Sequence, residues 1–123
     1  MTPELSIVIP VRDEELNIGP LHEELTGVLQ KMAVAYEIIL IDDGSEDGTF
    51  ERLRRIQAGD PHVRVIQFSR NFGQTAAFAA GFACASGRFI VTSDGDLQND
   101  PVNIPAMLTL ARNNDIEIGR AHV

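Results

Sequence analysis

Four short apolar runs, each followed by a segment of helical periodicity or small apolar residues, constrain this chain more than any other feature. The runs are Leu5 to Ile9, Glu37 to Ile41, Val63 to Phe68 and Phe89 to Thr92. They are rich in β-branched residues and bounded by Pro, Gly, Asp or Ser, which is how strands read. After the first run, Ile18, Leu21, Leu25, Val28, Leu29 and Met32 recur at helical spacing. Asn17 stands where a cap belongs, and Pro20 falls early enough in the helix to be tolerated. Phe50, Leu53 and Ile56 mark a second helix that closes by Gly59. Gln74 to Ala85 is small and apolar almost throughout, so this helix is expected to be buried on most sides. Asn103-Ile104-Pro105 reads as a cap and a helix start running to about Arg112, and Asp115 to Ile118 as the beginning of a fifth strand. Strands alternating with helices imply an α/β domain: an open, mostly parallel twisted sheet flanked by helices, with right-handed crossovers.

In such a sheet, ligands bind beyond the carboxyl ends of the strands, near a reversal of strand order. The residues with chemistry follow strand ends here: Arg12 to Glu14 after the first, Asp42-Asp43 after the second, Asp94 to Asp96 after the fourth. Three acidic clusters on one sheet edge repel unless something positive lies between them. That argues for a metal, or for a ligand rich in hydroxyl and N–H donors. The net charge of −8 opposes a broad basic surface for nucleic acid or anionic membrane, and it suits a protein that holds a divalent cation.

Each cluster also has a plainer reading. Asp94-Gly95-Asp96, with Gln98 continuing the spacing, can converge on magnesium or manganese through hard oxygen ligands. It can equally be a surface turn, because Asp and Gly are turn residues. An EF-hand is excluded: counting from Asp94 puts Asn99 where Gly is required and Pro105 where Glu is required. Asp42-Asp43-Gly44-Ser45 can meet a base or ribose, or it can be a strand-to-helix turn with Asp47 capping the next helix. Pro10 to Glu15 reads alone as an acid-enriched helix start. Arg70-Asn71-Phe72-Gly73 can meet an anion at a helix N-terminus, or Arg70 can pair with a carboxylate. His22 and His62 have no partner legible in the sequence and read as surface residues. Glycine-rich dinucleotide and P-loop signatures are absent.

Cys84 is the single cysteine, so a disulfide within the chain and a cysteine-built zinc cluster are excluded; it reads as a small buried residue. The N-terminus runs straight into a strand pattern with no signal peptide, and no apolar stretch is long enough to span a bilayer. The expectation is a soluble, cytoplasmic chain.

The ordered set of motifs resembles family 2 glycosyltransferases. The matching stretches are Leu5 to Asn17 (LSIVIPVRDEELN), Glu37 to Thr49 (EIILIDDGSEDGT), Arg70 to Gly81 (RNFGQTAAFAAG) and Gly87 to Pro105 (GRFIVTSDGDLQNDPVNIP). RNFG and DGDLQND look most like the polyprenyl-phosphate branch, with its dolichyl-phosphate mannose synthases and bactoprenol glucosyl transferases. The resemblance implies a GT-A fold, of which residues 1–116 are the Rossmann-like nucleotide-binding part. It implies that Pro10, Arg12 and Glu14 line the nucleotide pocket and that Ile41 and Asp43 contact base and ribose. Asp94 and Asp96 match the family's metal motif, Gln98 a third ligand on the metal side, and Gly95 between them belongs with the substrate-binding set.

Mg²⁺ or Mn²⁺ would then bridge the diphosphate of a UDP- or GDP-sugar, and an acceptor, in this branch a polyprenyl phosphate, would attack with inversion. Arg12 stands where relatives often carry Tyr, Asp13 where they usually carry Asn, and Gly95 where Ala is common. Relatives continue past this length into an acceptor site and often membrane helices, which implies catalytic acceptor-side residues beyond this chain and a full-length protein at the cytoplasmic face of a membrane. Two readings from other classes stand beside this one: a nucleotide-sugar-binding domain without turnover, and a nucleotidyltransferase, whose usual glycine-rich basic loop Pro10 to Glu15 lacks. The tail 117–123 also has two readings. It is natural, or Ile118 to Val123 translates ATC GGA AGA GCA CAC GTC, which matches a widely used sequencing adapter; a genomic sequence continuous through these codons decides.

Overall fold

The computed structural model describes residues 2–93, 101–113 and 121–122. Strands β1 (Leu5–Val11), β2 (Tyr36–Asp42), β3 (Val63–Gln67), β4 (Phe89–Thr92) and β5 (Ala121–His122) form one sheet in the order β3-β2-β1-β4-β5. Every pairing is parallel. Helices α1 (Ile18–Met32), α2 (Thr49–Gly59), α3 (Gln74–Cys84) and α4 (Ile104–Asn113) connect them, the last preceded by a 3₁₀ turn at Pro101–Asn103. The strand order reverses between β1 and β4. The expected start of a fifth strand at Asp115 to Ile118 lies outside the described residues, as do Asp94, Gly95, Asp96 and Gln98.

Strand residues alternate between two cores. Leu5, Ile7, Ile9 and Val11 turn to one face with Tyr36, Ile38 and Leu40, where they meet α1, α2 and α4 through Leu21, Leu25, Leu53 and Leu108. Val8, Ile39, Ile41 and Ile90 turn to the other face, under α3. Burying one such Leu or Ile side chain contributes about 1.5–3 kcal/mol. The sequence runs are apolar on both faces because both faces are covered.

The first strand runs past Ile9 to Val11, through Pro10. Parity explains why a central strand tolerates this proline. Glu4 and Val8 accept from Phe89 and Ser93 on the β4 side, while Val11 accepts from Asp43 on the β2 side. Pro10 therefore turns its missing N–H toward β4, whose pairing with β1 has already ended at Val8 and Thr92.

Helix α3 corrects one expectation. It ends at Cys84, and only Ala77 and Gly81 within it are fully buried. Its small residues serve close approach: a Cβ at Gly81 would lie 2.3 Å from Cγ1 of Val8. Thr75, Ala79 and Ala83 face outward, and Cys84 is half-buried. A helix can be apolar all round and still lie on a surface when its small side chains are there to let the backbone sit on a sheet.

Asn17 occupies the cap position of α1 but makes no side-chain capping bond. Its amide donates instead to Oε2 of Glu14, at 2.6 Å.

The amino edge of the sheet is held by carboxylates paired with cationic or imidazole groups. Glu37, near the start of β2, is buried and accepts from Ser6 Oγ (2.6 Å), Ser86 N (2.7 Å), Ser86 Oγ (3.1 Å) and Arg64 Nη1 (3.1 Å). Burial pushes its pKa up, but these donors outweigh it and hold the group below its ordinary value. Asp60 bridges two histidines, taking His22 Nε2 and His62 Nδ1 each at 2.8 Å. Burial raises the Asp60 carboxyl, and the His22 and His62 hydrogen bonds bring it below its ordinary value. His22 and His62 thus have a partner that was not read from the sequence; His62 is exposed as expected and His22 half-buried, and the shared acid lies 38 residues from His22, out of reach of local pattern, and two from His62. Glu4 pairs with Arg112 at the end of α4.

Candidate functional site

The carboxyl edge is where the sequence places most of its candidate residues, and the register brings them together. Pro10 pairs with Ile41 and Val11 with Asp42. The Asp43 N–H donates to the Val11 carbonyl at 2.9 Å, and the Ser93 N–H donates to the Val8 carbonyl at 3.1 Å. The ends of β1, β2 and β4 therefore lie side by side at the point where strand order reverses, with Ser93 the last described residue before Asp94.

Two loops clasp each other beyond β1 and β2. Asp13 adopts the left-handed conformation, φ +53°. Its N–H donates to Ser45 Oγ (2.9 Å), and its carboxylate accepts from the Glu46 N–H (2.8 Å). The Glu14 N–H donates to Thr49 Oγ1 at 2.9 Å. Glu15 accepts from the Gly48 N–H at 3.0 Å, with Arg52 at 3.8 Å. The first turn of α1 contains no acid. Asp13, Glu14 and Glu15 are thus not a helix start shaped by the macrodipole: the Asp13 and Glu15 carboxylates take N–H donors of the neighbouring loop, and the Glu14 N–H donates to that loop's Thr49. Arg12 stands exposed beside them.

Asp42 is the last residue of β2, buried, with Oδ1 accepting from the Ser45 N–H at 3.0 Å. This is the local turn that Asp favours. Asp47 precedes the first residue of α2 by two, and its Oδ1 accepts from both the N–H (2.9 Å) and the hydroxyl of Thr49. It serves the helix start as expected, while Gly48 holds the formal cap position.

Asp43 is the most engaged group. It is 5% exposed. Its Oδ1 accepts from the Phe72 N–H (2.7 Å), and its Oδ2 from the Gly73 N–H (3.1 Å) and Asn71 Nδ2 (3.1 Å). Beside it Gly44 has φ +72°, and a Cβ there would lie 2.3 Å from the Arg70 carbonyl carbon. Glycine is required at that position twice over, for conformation and for space. The segment Arg70-Asn71-Phe72-Gly73 is therefore docked on the end of β2. The N–H groups of Phe72 and Gly73, which a bound anion would need, already donate to a carboxylate. Arg70 does not pair with an acid among the described residues; its guanidinium lies 4.7 Å from the centroid of the Phe72 ring. Phe68 meets that ring edge-on, and Phe72 remains 51% exposed.

Sequence reasoning missed Thr49, whose hydroxyl links Glu14 to Asp47, and Glu37. A Glu leading a buried apolar strand was a legible signal, because a buried carboxylate needs donors. Thr49 gave only the weak signal of a hydroxyl residue at a helix start.

Among the described residues no group of three or more His, Cys, Asp and Glu side chains is arranged to hold a metal. None of their helices is long and apolar enough to cross a membrane.

Comparison with known proteins adds the following. The family model described as Glycosyl transferase family 2 matches residues 6–122. A dodecaprenyl-phosphate galacturonate synthase of Rhizobium johnstonii is 41% identical over 116 residues, covering 94% of this chain and 34% of that protein. The chain thus spans about a third of the length of this curated relative. Among solved structures, S. aureus TarS 1–349 in complex with UDP superposes with a TM-score of 0.69 at 20% identity, over 89% of this chain and 32% of that one. A mannosyltransferase from Pyrobaculum calidifontis, in complex with GDP-Man and Mn²⁺, gives 0.63 at 22% identity, over 78% of this chain and 28% of that one. The two structures establish a shared GT-A fold.

Proposed function

The chain belongs to glycosyl transferase family 2, and on that premise we propose that it forms the donor-binding part of a transferase that moves a sugar from a UDP- or GDP-sugar to a polyprenyl phosphate. The observation that carries the reading is the carboxyl edge at the strand-order reversal. There Pro10 and Ile41 pair near the ends of β1 and β2, Asp43 follows β2, and β4 brings Ser93 to the same edge. On this reading residues 1–116 are the donor part, with Pro10, Arg12, Glu14, Ile41, Asp43 and Gly95 on the nucleotide side. The relative acting on dodecaprenyl phosphate supports the acceptor class. The superposed proteins with UDP and with GDP-Man support the donor class. A protein working on such acceptors sits at a membrane surface without needing a spanning helix in this part.

The donor set Asp94, Asp96 and Gln98 supplies two carboxylates and an amide oxygen, which fits Mg²⁺ or Mn²⁺ and not a soft metal. The described acids leave the same conclusion open at the edge itself: they take N–H and O–H donors, and their negative charge stays largely uncompensated. When bound, the cation supplies charge stabilisation to the departing nucleoside diphosphate. The remaining work falls to the protein. The two clasped loops fix the nucleotide's position, and fixed position is itself a large part of such catalysis.

Calorimetric titration of UDP and GDP, with and without Mn²⁺, tests the reading, with Asp94→Ala and Asp96→Ala as controls. Metal-dependent binding that either substitution abolishes is expected. Binding of neither nucleotide by the folded chain would overturn the donor assignment.

A further inference from the structure

The loop after β1 is fastened by its backbone. The N–H groups of Asp13 and Glu14 donate to the side chains of Ser45 and Thr49, each at 2.9 Å, and the Glu15 N–H donates to Asp47. In return, the carboxylates of Asp13 and Glu15 accept from the Glu46 and Gly48 N–H groups, at 2.8 and 3.0 Å. Asp13 sits at φ +53° while it does so, an uncommon conformation that surrounding contacts must hold.

Thr49 is the centre of this clasp. It is the first residue of α2 and has no exposed surface. Its hydroxyl accepts from the Glu14 N–H and donates to Oδ1 of Asp47, and its own N–H donates to the same oxygen at 2.9 Å. One hydroxyl therefore ties the loop after β1 to the start of a helix that is itself anchored in the core by Leu53. A helix is a firmer mount for a ligand-binding group than a loop alone.

Glu14 is the residue so mounted. The carboxylates on either side of it are taken up by the neighbouring loop, whereas that of Glu14 meets only the Asn17 amide, at 2.6 Å, among the described residues. A carboxylate has about four lone-pair sites, so Glu14 keeps acceptors for the N–H or O–H donors of a ligand.

We propose that Thr49 is a positioning residue for the donor: its hydroxyl fixes the backbone at Glu14 and so sets where the Glu14 carboxylate meets the nucleotide. This rests on the donor-site reading above, which puts Glu14 on the nucleotide side. Thr49 acts from beneath the loop and does not itself touch the ligand.

Thr49→Val, which keeps the branching and removes the hydroxyl, and Thr49→Ser, which keeps the hydroxyl, separate this role from packing. Affinities for UDP and GDP are measured with Mn²⁺ by calorimetry, at a temperature where urea titration shows each protein folded. Exchange of the Glu14 amide is followed in each. The account predicts that Thr49→Val speeds that exchange and weakens the nucleotide by about tenfold or more, the scale of a contact displaced in a fixed site. Thr49→Ser is expected to keep slow exchange and most of the affinity. If Thr49→Val does not fold, Thr49→Ala against Thr49→Ser makes the same comparison. Unchanged affinity in the folded variant without the hydroxyl, or an equal loss in Thr49→Ser, would make Thr49 a packing residue and overturn the proposal. So would a loss of affinity with exchange at Glu14 unchanged. A wild type that binds neither nucleotide would overturn the donor-site reading and this proposal with it, so binding by the wild type tells the two failures apart.

Discussion

The two edges of this sheet both rest on acidic residues, yet they neutralise them differently. At the amino edge, Glu37 meets Arg64, Glu4 meets Arg112, and Asp60 meets His22 and His62. Each carboxylate there has a partner that carries or can carry positive charge. At the carboxyl edge, Asp13, Asp42, Asp43 and Asp47 take backbone N–H, hydroxyl and amide donors. Among the described residues the ion pair there, between Glu15 and Arg52, is long at 3.8 Å. Neutral donors satisfy lone pairs without cancelling charge. The amino edge is thus electrostatically closed, and the carboxyl edge keeps a field that a cation can relieve. One edge holds the fold together, and the other is the edge proposed above to take the donor.

The contrast is sharpest in the largest expected effect. Glu37→Ala removes the acceptor for Ser6, Ser86 and Arg64 in a buried place and is expected to cost about 2–4 kcal/mol of stability in denaturant titration. The nucleotide affinity of the molecules that remain folded should not change. A loss of affinity without a loss of stability would blur the division between edges. Gly44→Ala should behave oppositely. Its Cβ would strike the Arg70 backbone, so the loops at the ligand edge must part, at about 1–3 kcal/mol. Nucleotide binding should fall well beyond what that instability explains, measured by calorimetry at a temperature where the variant is folded.

Acid provides a milder test. Asp60 and Glu37 are held below their ordinary values of 3.8 and 4.5. A depressed carboxyl contributes stability that is present above its unfolded value and is lost as pH falls through the folded one. Stability should therefore decline below about pH 4.5, and Asp60→Asn should flatten part of that decline at a cost of about 1 kcal/mol at neutral pH. Urea midpoints of both proteins across pH 2–7 measure this; parallel curves would show that Asp60 carries no such linkage. The smallest effect belongs to Asp13→Asn. Asn tolerates the left-handed conformation better and its oxygen still accepts from Glu46, so stability should move within about 0.5 kcal/mol, upward if at all. A loss beyond that, by thermal unfolding, would mean that the charge itself is needed in the clasp.

The division between edges also marks how far the sequence could be read. Strands and helices were legible because period-2 and period-3.6 patterns are local, and the carboxyl-edge motifs because they follow strand ends. Partners were not. Asp60 joins α1 to the turn before β3, and Asp43 joins the end of β2 to a loop 29 residues away. Both depend on sheet order, which periodicity does not encode. The outer face of α3 was misjudged for a similar reason: composition revealed small side chains, and only the Gly81 contact with Val8 revealed why they are small. Asp13 to Glu15 were misread because an acid before a helix fits the macrodipole equally well whether or not a second loop faces it.

Paramagnetic broadening by Mn²⁺ in an amide spectrum tests the central claim most directly. With UDP or GDP present, the account predicts selective loss of signals at the carboxyl edge, from Asp13, Asp43 and Ser93, while Glu37, Arg64 and Ser86 at the amino edge stay sharp. Broadening spread over both edges, or centred on the amino edge, would contradict it.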